Sequence, residues 1–169
     1  MKVLETDRLT LRYLTLADAG FILQLLNEPS FIRFIGDRGV RTVDDARKYI
    51  LQGPIASYER FGFGLYLTEI TATGAPVGIC GLLKRDTLPD ADIGFAFLGP
   101  FWRQGYAFES AAAVITYGKD ELGQERILAI TSPENNASIK LLEKLGFTFE
   151  EVTKLSEDAP EVNLFALDL

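Results

Sequence analysis

The sequence predicts an α+β fold of three layers: a mixed, mainly antiparallel sheet of about seven strands with helices on both faces. Three observations carry this. Short runs alternate apolar and polar residues with the period of a half-buried strand. Between them lie apolar residues at helical spacing, opened by Thr or Asn and closed by Gly or Pro. The elements fall in the order β-α-α-β-β-β-α-β-α-β-β. Early strands follow one another directly, and later ones are separated by helices, so the sheet changes direction.

Leu9-Thr10-Leu11-Arg12-Tyr13 alternates and reads as the first strand. Thr15-Leu16-Ala17-Asp18 opens a helix, with Thr15 placed to cap and Asp18 three residues on. Phe21, Ile22, Leu25 and Leu26 continue it at helical spacing, and Pro29 ends the element. Thr42-Val43-Asp44-Asp45 opens a second helix with Ala46, Tyr49 and Ile50 on one face; Gly53-Pro54 should kink or break it before Tyr58. Strands then dominate. Phe63, Leu65 and Leu67 alternate, Thr73-Gly74 marks a hairpin turn into 77–83, and Asp90-Ala91-Asp92 leads into a strand over 93–98 that Gly99-Pro100 terminates. A helix over 105–122 places Ala107, Ala111, Val114 or Ile115, and Gly118 on one face, and Gly123 stops it. A strand over 126–131 follows. Asn135 caps a helix carrying Ile139, Leu142 and Leu145 that closes at Gly146, and strands over 147–152 and 162–167 finish the chain.

At 169 residues the chain can bury a core without disulfides or metal, and a single domain over 1–169 is expected. A net charge of −7 argues against nonspecific binding to nucleic acid or anionic membranes, and suits a cationic acceptor. The N-terminus MKVLETDRLTLR has no apolar segment of signal-peptide kind, and no run approaches the roughly 20 apolar residues of a membrane span. The lone cysteine, Cys80, cannot form an internal disulfide, which fits a reducing, cytoplasmic location. It lies in the apolar run Val77-Gly78-Ile79-Cys80-Gly81-Leu82 and reads as an inert strand residue. The chain has no histidine, which excludes Ser-His-Asp and Cys-His mechanisms and removes the usual ligands of a catalytic zinc, so no metal is expected. A general base must then be a carboxylate, a held water, or a perturbed Lys or Tyr.

Phe101-Trp102-Arg103-Gln104-Gly105-Tyr106-Ala107 turns a strand into a helix through a glycine. Such a turn presents unpaired N–H groups at the positive end of a helix dipole and binds anions, phosphate among them.

The chain from Asp92 through Gly105-Tyr106-Ala107 to Asn135-Asn136-Ala137-Ser138 and Glu143-Lys144-Leu145-Gly146-Phe147 resembles the GNAT acetyltransferases. More narrowly, it is similar to the branch containing the ribosomal-protein alanine N-acetyltransferases, whose opening is also matched by Glu5-Thr6-Asp7-Arg8-Leu9-Thr10-Leu11-Arg12. The resemblance implies splayed central strands and an acetyl-CoA cosubstrate. The N–H groups of Gln104, Gly105, Tyr106 and Ala107 would cradle its pyrophosphate, with Gly105 allowing close approach. The family pattern opens on Gln or Arg; here that position is Trp102, which reads as a packing residue. Arg103 is either a phosphate contact or a solvated loop charge. The strand over 93–98 would run beside the pantetheine arm, and an N–H near Phe97 or Leu98 would stabilise the developing oxyanion.

Asn135 would contact the cofactor arm as well as cap its helix. Many members carry a tyrosine in this helix as the acid that protonates the departing thiolate; here the slot holds Leu142. Ser138 can take that role, or serve only in capping. Asp92 is the candidate base, or else caps a turn or sits in solvent. Glu109 reads as a structural residue of the cofactor helix. The function implied is transfer of acetyl from acetyl-CoA to a primary amine, a protein N-terminus above all, by direct attack in a ternary complex, in a monomer or homodimer. A noncatalytic acyl-CoA-binding module and a small-molecule amine acetyltransferase are the alternatives.

Overall fold

The computed structural model describes residues 1–169. One eight-stranded sheet runs in the order β1-β2-β3-β4-β5-β6-β8-β7. Its strands are β1 (Lys2–Glu5), β2 (Leu9–Arg12), β3 (Leu65–Ile70), β4 (Pro76–Leu83), β5 (Asp92–Phe97), β6 (Arg126–Thr131), β7 (Thr148–Thr153) and β8 (Val162–Asp168). The helices are α1 (Ala19–Leu26), α2 (Pro29–Phe34), α3 (Val43–Ile50), α4 (Ala56–Phe61), α5 (Tyr106–Asp120) and α6 (Asn136–Lys144). Every neighbouring pair is antiparallel except β5 and β6, which are parallel and joined by the α5 crossover.

The alternation read in the sequence sorts side chains onto two faces. Leu9, Leu11, Tyr66, Cys80, Leu82, Ile93 and Phe97 pack against Ala111 and Val114 of α5 and Leu142 of α6. Leu65, Leu67 and Ile79 pack on the other face against Ile22, Leu25 and Leu26 of α1 and Ala46 and Ile50 of α3. The three-layer α+β expectation holds, with eight strands in place of about seven. The additional strand is β1, four residues that pair with β2 across the turn at Thr6–Arg8. Thr15 and Asp18 form the expected capping box, and Arg12 grips both carboxylate oxygens of Asp18 at 2.9 and 2.8 Å.

Two proline expectations are corrected. Pro29 does not simply end the first helix. It opens α2, because at the first helical position its missing N–H has no partner to lose; the segment Phe31-Ile32-Arg33-Phe34 is therefore helical. Nor does Gly53-Pro54 break the chain. Leu51–Ile55 widens into a π turn that leads from α3 into α4. The wider spacing relieves the clash of the proline ring with the carbonyl four residues back.

Close approach of β3, β4 and β5 depends on Gly81, which pairs with Leu65 on one side and Gly94 on the other. A Cβ there would lie 2.0 Å from the Gly64 carbonyl oxygen, and backbone cannot swing away as a side-chain tip can. Gly81→Ala is expected to destabilise the fold by ~1–3 kcal/mol in urea unfolding. Gly20, exposed inside α1 with nothing within 4 Å of its Cβ position, gives the opposite sign: Gly20→Ala should stabilise by ~0.5–1 kcal/mol.

Candidate active site

β5 is bound along one edge and open along the other. Leu98 donates its N–H to the Val77 carbonyl at 3.0 Å, and the ladder with β4 continues from Gly78↔Phe97 to Leu83↔Asp92. In an antiparallel ladder alternate residues turn their N–H and C=O to opposite sides. Leu98, Ala96, Gly94 and Asp92 therefore address β4, while Phe97, Phe95 and Ile93 address β6. On that side the only residue pair is Asp92↔Leu128, anchored by the Leu128 N–H on the Ala91 carbonyl at 2.9 Å. Beyond it the two strands part. Of the two residues expected to offer a free N–H, the geometry keeps Phe97 and commits Leu98 to β4; it adds Phe95, which carried no signal in the sequence.

The open edge runs into the loop before α5. Arg103 (φ 62°) and Gly105 (φ 82°) both adopt left-handed backbone, a tolerable conformation for glycine and a strained one for arginine. Trp102 donates its N–H to Gly99 and Glu109 donates to Gly105, but none of the N–H groups from Arg103 to Phe108 has a protein partner. No side chain caps the helix. This is a cluster of unsatisfied donors at a helix N-terminus, and it includes those of Gln104, Gly105, Tyr106 and Ala107. Trp102 is half-exposed, and its indole Nε1 donates to the Phe97 carbonyl at 2.8 Å, which braces the loop against the strand end. The Gln104 side chain is tied to the Pro100 carbonyl at 2.9 Å, whereas Arg103 is exposed with no partner.

Glu109 bolts the β1–β2 turn to α5. It accepts from the Thr6 hydroxyl, from the Arg8 N–H at 3.1 Å and from Arg8 Nε at 2.8 Å. Burial pushes its carboxyl upward, but these hydrogen bonds outweigh burial and hold it below the usual range. Arg8 also donates Nη1 to the Gln104 carbonyl at 2.9 Å. The sequence had shown Arg8 only as part of the opening motif, with no role.

Across the cleft, Asn135 caps α6 by accepting the Ser138 N–H at 3.2 Å, and its amide nitrogen has no protein partner. Ser138 is half-buried with a hydroxyl no protein atom engages. Leu142, one turn on along the same face, is buried in the core cluster, so no phenol stands there. Thr131, at the end of β6, is buried with an unpartnered hydroxyl, a residue the sequence reading missed.

Asp92 stands where β5 and β6 last touch. It is 1% exposed; Oδ1 accepts from Arg85 Nε at 3.0 Å and Oδ2 has no partner. Burial raises its carboxyl pKa against the opposing pull of Arg85. Its side chain shares the face of Leu83 and Gly94, the side covered by α1 and α3, whereas Ser138 lies on the α5 side. The Cys80 thiol is wholly buried and pushed up to about 12, which leaves it inert at neutral pH.

A donor cluster that can take a diphosphate lies at the end of an open strand edge that can take amides, and the two fit coenzyme A. Residues 8–148 match the family profile described as an acetyltransferase (GNAT) domain. The chain is 32% identical over 174 residues to an uncharacterized N-acetyltransferase, p20, of Bacillus licheniformis, over 99% of this chain and 96% of that one. An acetyltransferase from Agrobacterium tumefaciens superposes with a TM-score of 0.83 at 24% identity, over 100% of this chain and 95% of that one. RimL, a ribosomal L7/L12 α-N-protein acetyltransferase solved in complex with coenzyme A, superposes with a TM-score of 0.86 at 21% identity, over 100% and 98% of the two chains. The chain belongs to the GNAT acetyltransferase family and is an acetyl-CoA-dependent acyltransferase.

Proposed function

We propose that this acyltransferase acetylates a primary amine, by preference the α-amine of a protein N-terminus, through direct attack within a ternary complex. The observation that carries the reading is the placement of two polar groups on opposite faces of the parted strands. Asp92 has an unpartnered oxygen on one face, and Ser138 has an unengaged hydroxyl on the other. A displacement needs this division, with a proton taken from the nucleophile on one side and given to the leaving group on the other. The Phe97 N–H, at the open edge between them, donates to the acyl oxygen; one such donor contributes ~3 kcal/mol to the transition state. Acetyl-CoA supplies the activated acyl thioester. Asn135 and the Arg103–Phe108 donors hold its arm and phosphates.

An α-amine, with an ordinary pKa of about 7.7–8.0, is partly neutral at physiological pH and needs only a modest base. The net charge of −7 draws a cationic acceptor. The activity of RimL on a ribosomal protein N-terminus is of the same kind. A second reading, a small amine acceptor that also carries an anionic group, is favoured by a cavity of about 290 Å³ whose lining includes Tyr49, Leu83 and the cations Arg60 and Lys84 and no carboxylate. It lies one strand over from Asp92, which pairs with Leu83.

Thiol release from acetyl-CoA with two panels of acceptors, N-terminal peptides and small amines, separates the two. A kcat/KM at least tenfold higher for peptides supports the α-amine reading, and the reverse ratio replaces it with the small-amine one. Asp92→Asn should lower kcat/KM by ~10²-fold or more at pH 7. It should also remove the acidic limb of the wild-type pH–rate profile. That limb lies above the ordinary carboxylate range because burial raises Asp92, and activity is lost as pH falls through the raised value. An unchanged profile excludes Asp92 as base. Ser138→Ala should slow turnover at saturating acetyl-CoA while leaving CoA affinity intact; equal kcat in the two proteins removes it as acid. Thr131→Val is expected to stabilise the protein by ~1 kcal/mol, by removing an orphaned buried hydroxyl, read by thermal unfolding.

A further inference from the structure

We propose that Arg8, on the turn between β1 and β2, is a phosphate-binding residue of this enzyme, supplying from outside the loop the contact that the loop's first position does not provide. The inference rests on the coenzyme A reading of the cleft. Trp102 stands where the family pattern has Gln or Arg, and its only donor is spent inward on the Phe97 carbonyl. Arg8 approaches the same loop from the other side. Its Nε is fixed on Glu109 at 2.8 Å and its Nη1 on the Gln104 carbonyl at 2.9 Å, and its guanidinium lies over the Tyr106 ring with 4.5 Å to the centroid.

These contacts immobilise the fork and leave one nitrogen, Nη2, without a protein partner. That nitrogen stands 3.2 Å from the position a Cβ would take on Gly105, beside the middle of the unpartnered N–H cluster. A guanidinium held in place before its ligand arrives loses little side-chain freedom on binding, and its planar fork suits phosphate oxygens. A cavity of about 540 Å³, lined by Thr6, Asp7, Arg8, Gly105, Phe108 and Glu109 among others, opens beside it.

Glu109 gives Arg8 a second effect. Its carboxylate lies in the first turn of α5, where a bare negative charge would repel the phosphates bound at the same helix end. Arg8 covers that charge. Removing Arg8 therefore deletes a donor and uncovers a repulsive group, and Glu109→Gln should undo the second loss but not the first.

The test measures the Kd of CoA by calorimetry, and kcat and KM with acetyl-CoA and with acetyl-pantetheine, which has the same arm without phosphates. Arg8→Ala should weaken CoA at least tenfold and raise the KM for acetyl-CoA with kcat kept, while kcat/KM for acetyl-pantetheine changes less than twofold. Arg8→Lys should recover part of the affinity, and Arg8→Ala combined with Glu109→Gln should bind CoA more tightly than Arg8→Ala alone. CoA affinity within twofold of wild type in Arg8→Ala overturns the proposal. So does an equal loss with acetyl-pantetheine, which makes Arg8 a strut of the fold only. A wild-type protein that fails to bind CoA removes the reading of the cleft itself, a result distinct from either.

Discussion

The separation of β5 from β6 after a single shared pair, Asp92↔Leu128, is the constraint on which the site depends. Each strand is held to its own outer neighbour over its whole length, β5 to β4 and β6 to β8, so the sheet behaves as two half-sheets that diverge from one point. The cost is a row of main-chain donors with no partner, which a folded protein avoids unless something else satisfies them. One carbonyl on this edge is satisfied internally, by the Trp102 indole on Phe97. The Phe95 and Phe97 N–H groups on the same edge have no strand partner. The wedge stays shut at its base because α5 seats closely over it: Gly118, with no side chain, lets the helix settle on Leu82 of β4 and Ile127 of β6, where a Cβ would come within 3.1 and 3.3 Å of them.

An acidic protein that binds a polyanion is not a contradiction, because the two facts live on different length scales. Salt screens charges beyond about 8–10 Å, so the net charge of −7 governs encounters with nucleic acid, membranes and amines. The loop before α5 acts over hydrogen-bond distances, through N–H groups that carry no formal charge, and the Glu109 carboxylate in the first turn of that helix is paired with Arg8. A net negative charge and a local cluster of backbone donors are thus compatible in one small chain.

The parts legible in the sequence are those whose physics is local. Gly105 with its left-handed backbone, the Asn135 cap, the Thr15–Asp18 box and the period of each strand follow from residues a few positions apart. What escaped depends on distant partners. Whether Phe97 or Leu98 offers the free N–H is decided by the parity of the β4 ladder, fixed by Val77, some twenty residues earlier in the chain. The π turn at Pro54 is invisible to a rule that treats proline as a stop, and β1 is too short to show a period. Arg8 is informative only once Gln104 and Glu109 are beside it, and Thr131 only once its hydroxyl is known to be orphaned.

Those orphaned groups show how stability and activity divide between the faces of the cleft. An unpaired buried polar atom costs ~1–3 kcal/mol, and a carboxylate more. A chain selected for stability alone would put Asn or Leu at position 92 and Val at 131. Asp92 keeps one oxygen on Arg85, which limits the penalty while leaving the other unpaired and its proton affinity raised. Pairing both oxygens would lower the proton affinity of the group, and leaving both free in the same buried position would raise it further. The single ion pair from Arg85 sits between these limits, and it is this incomplete satisfaction of Asp92 that the proposed role as base draws on.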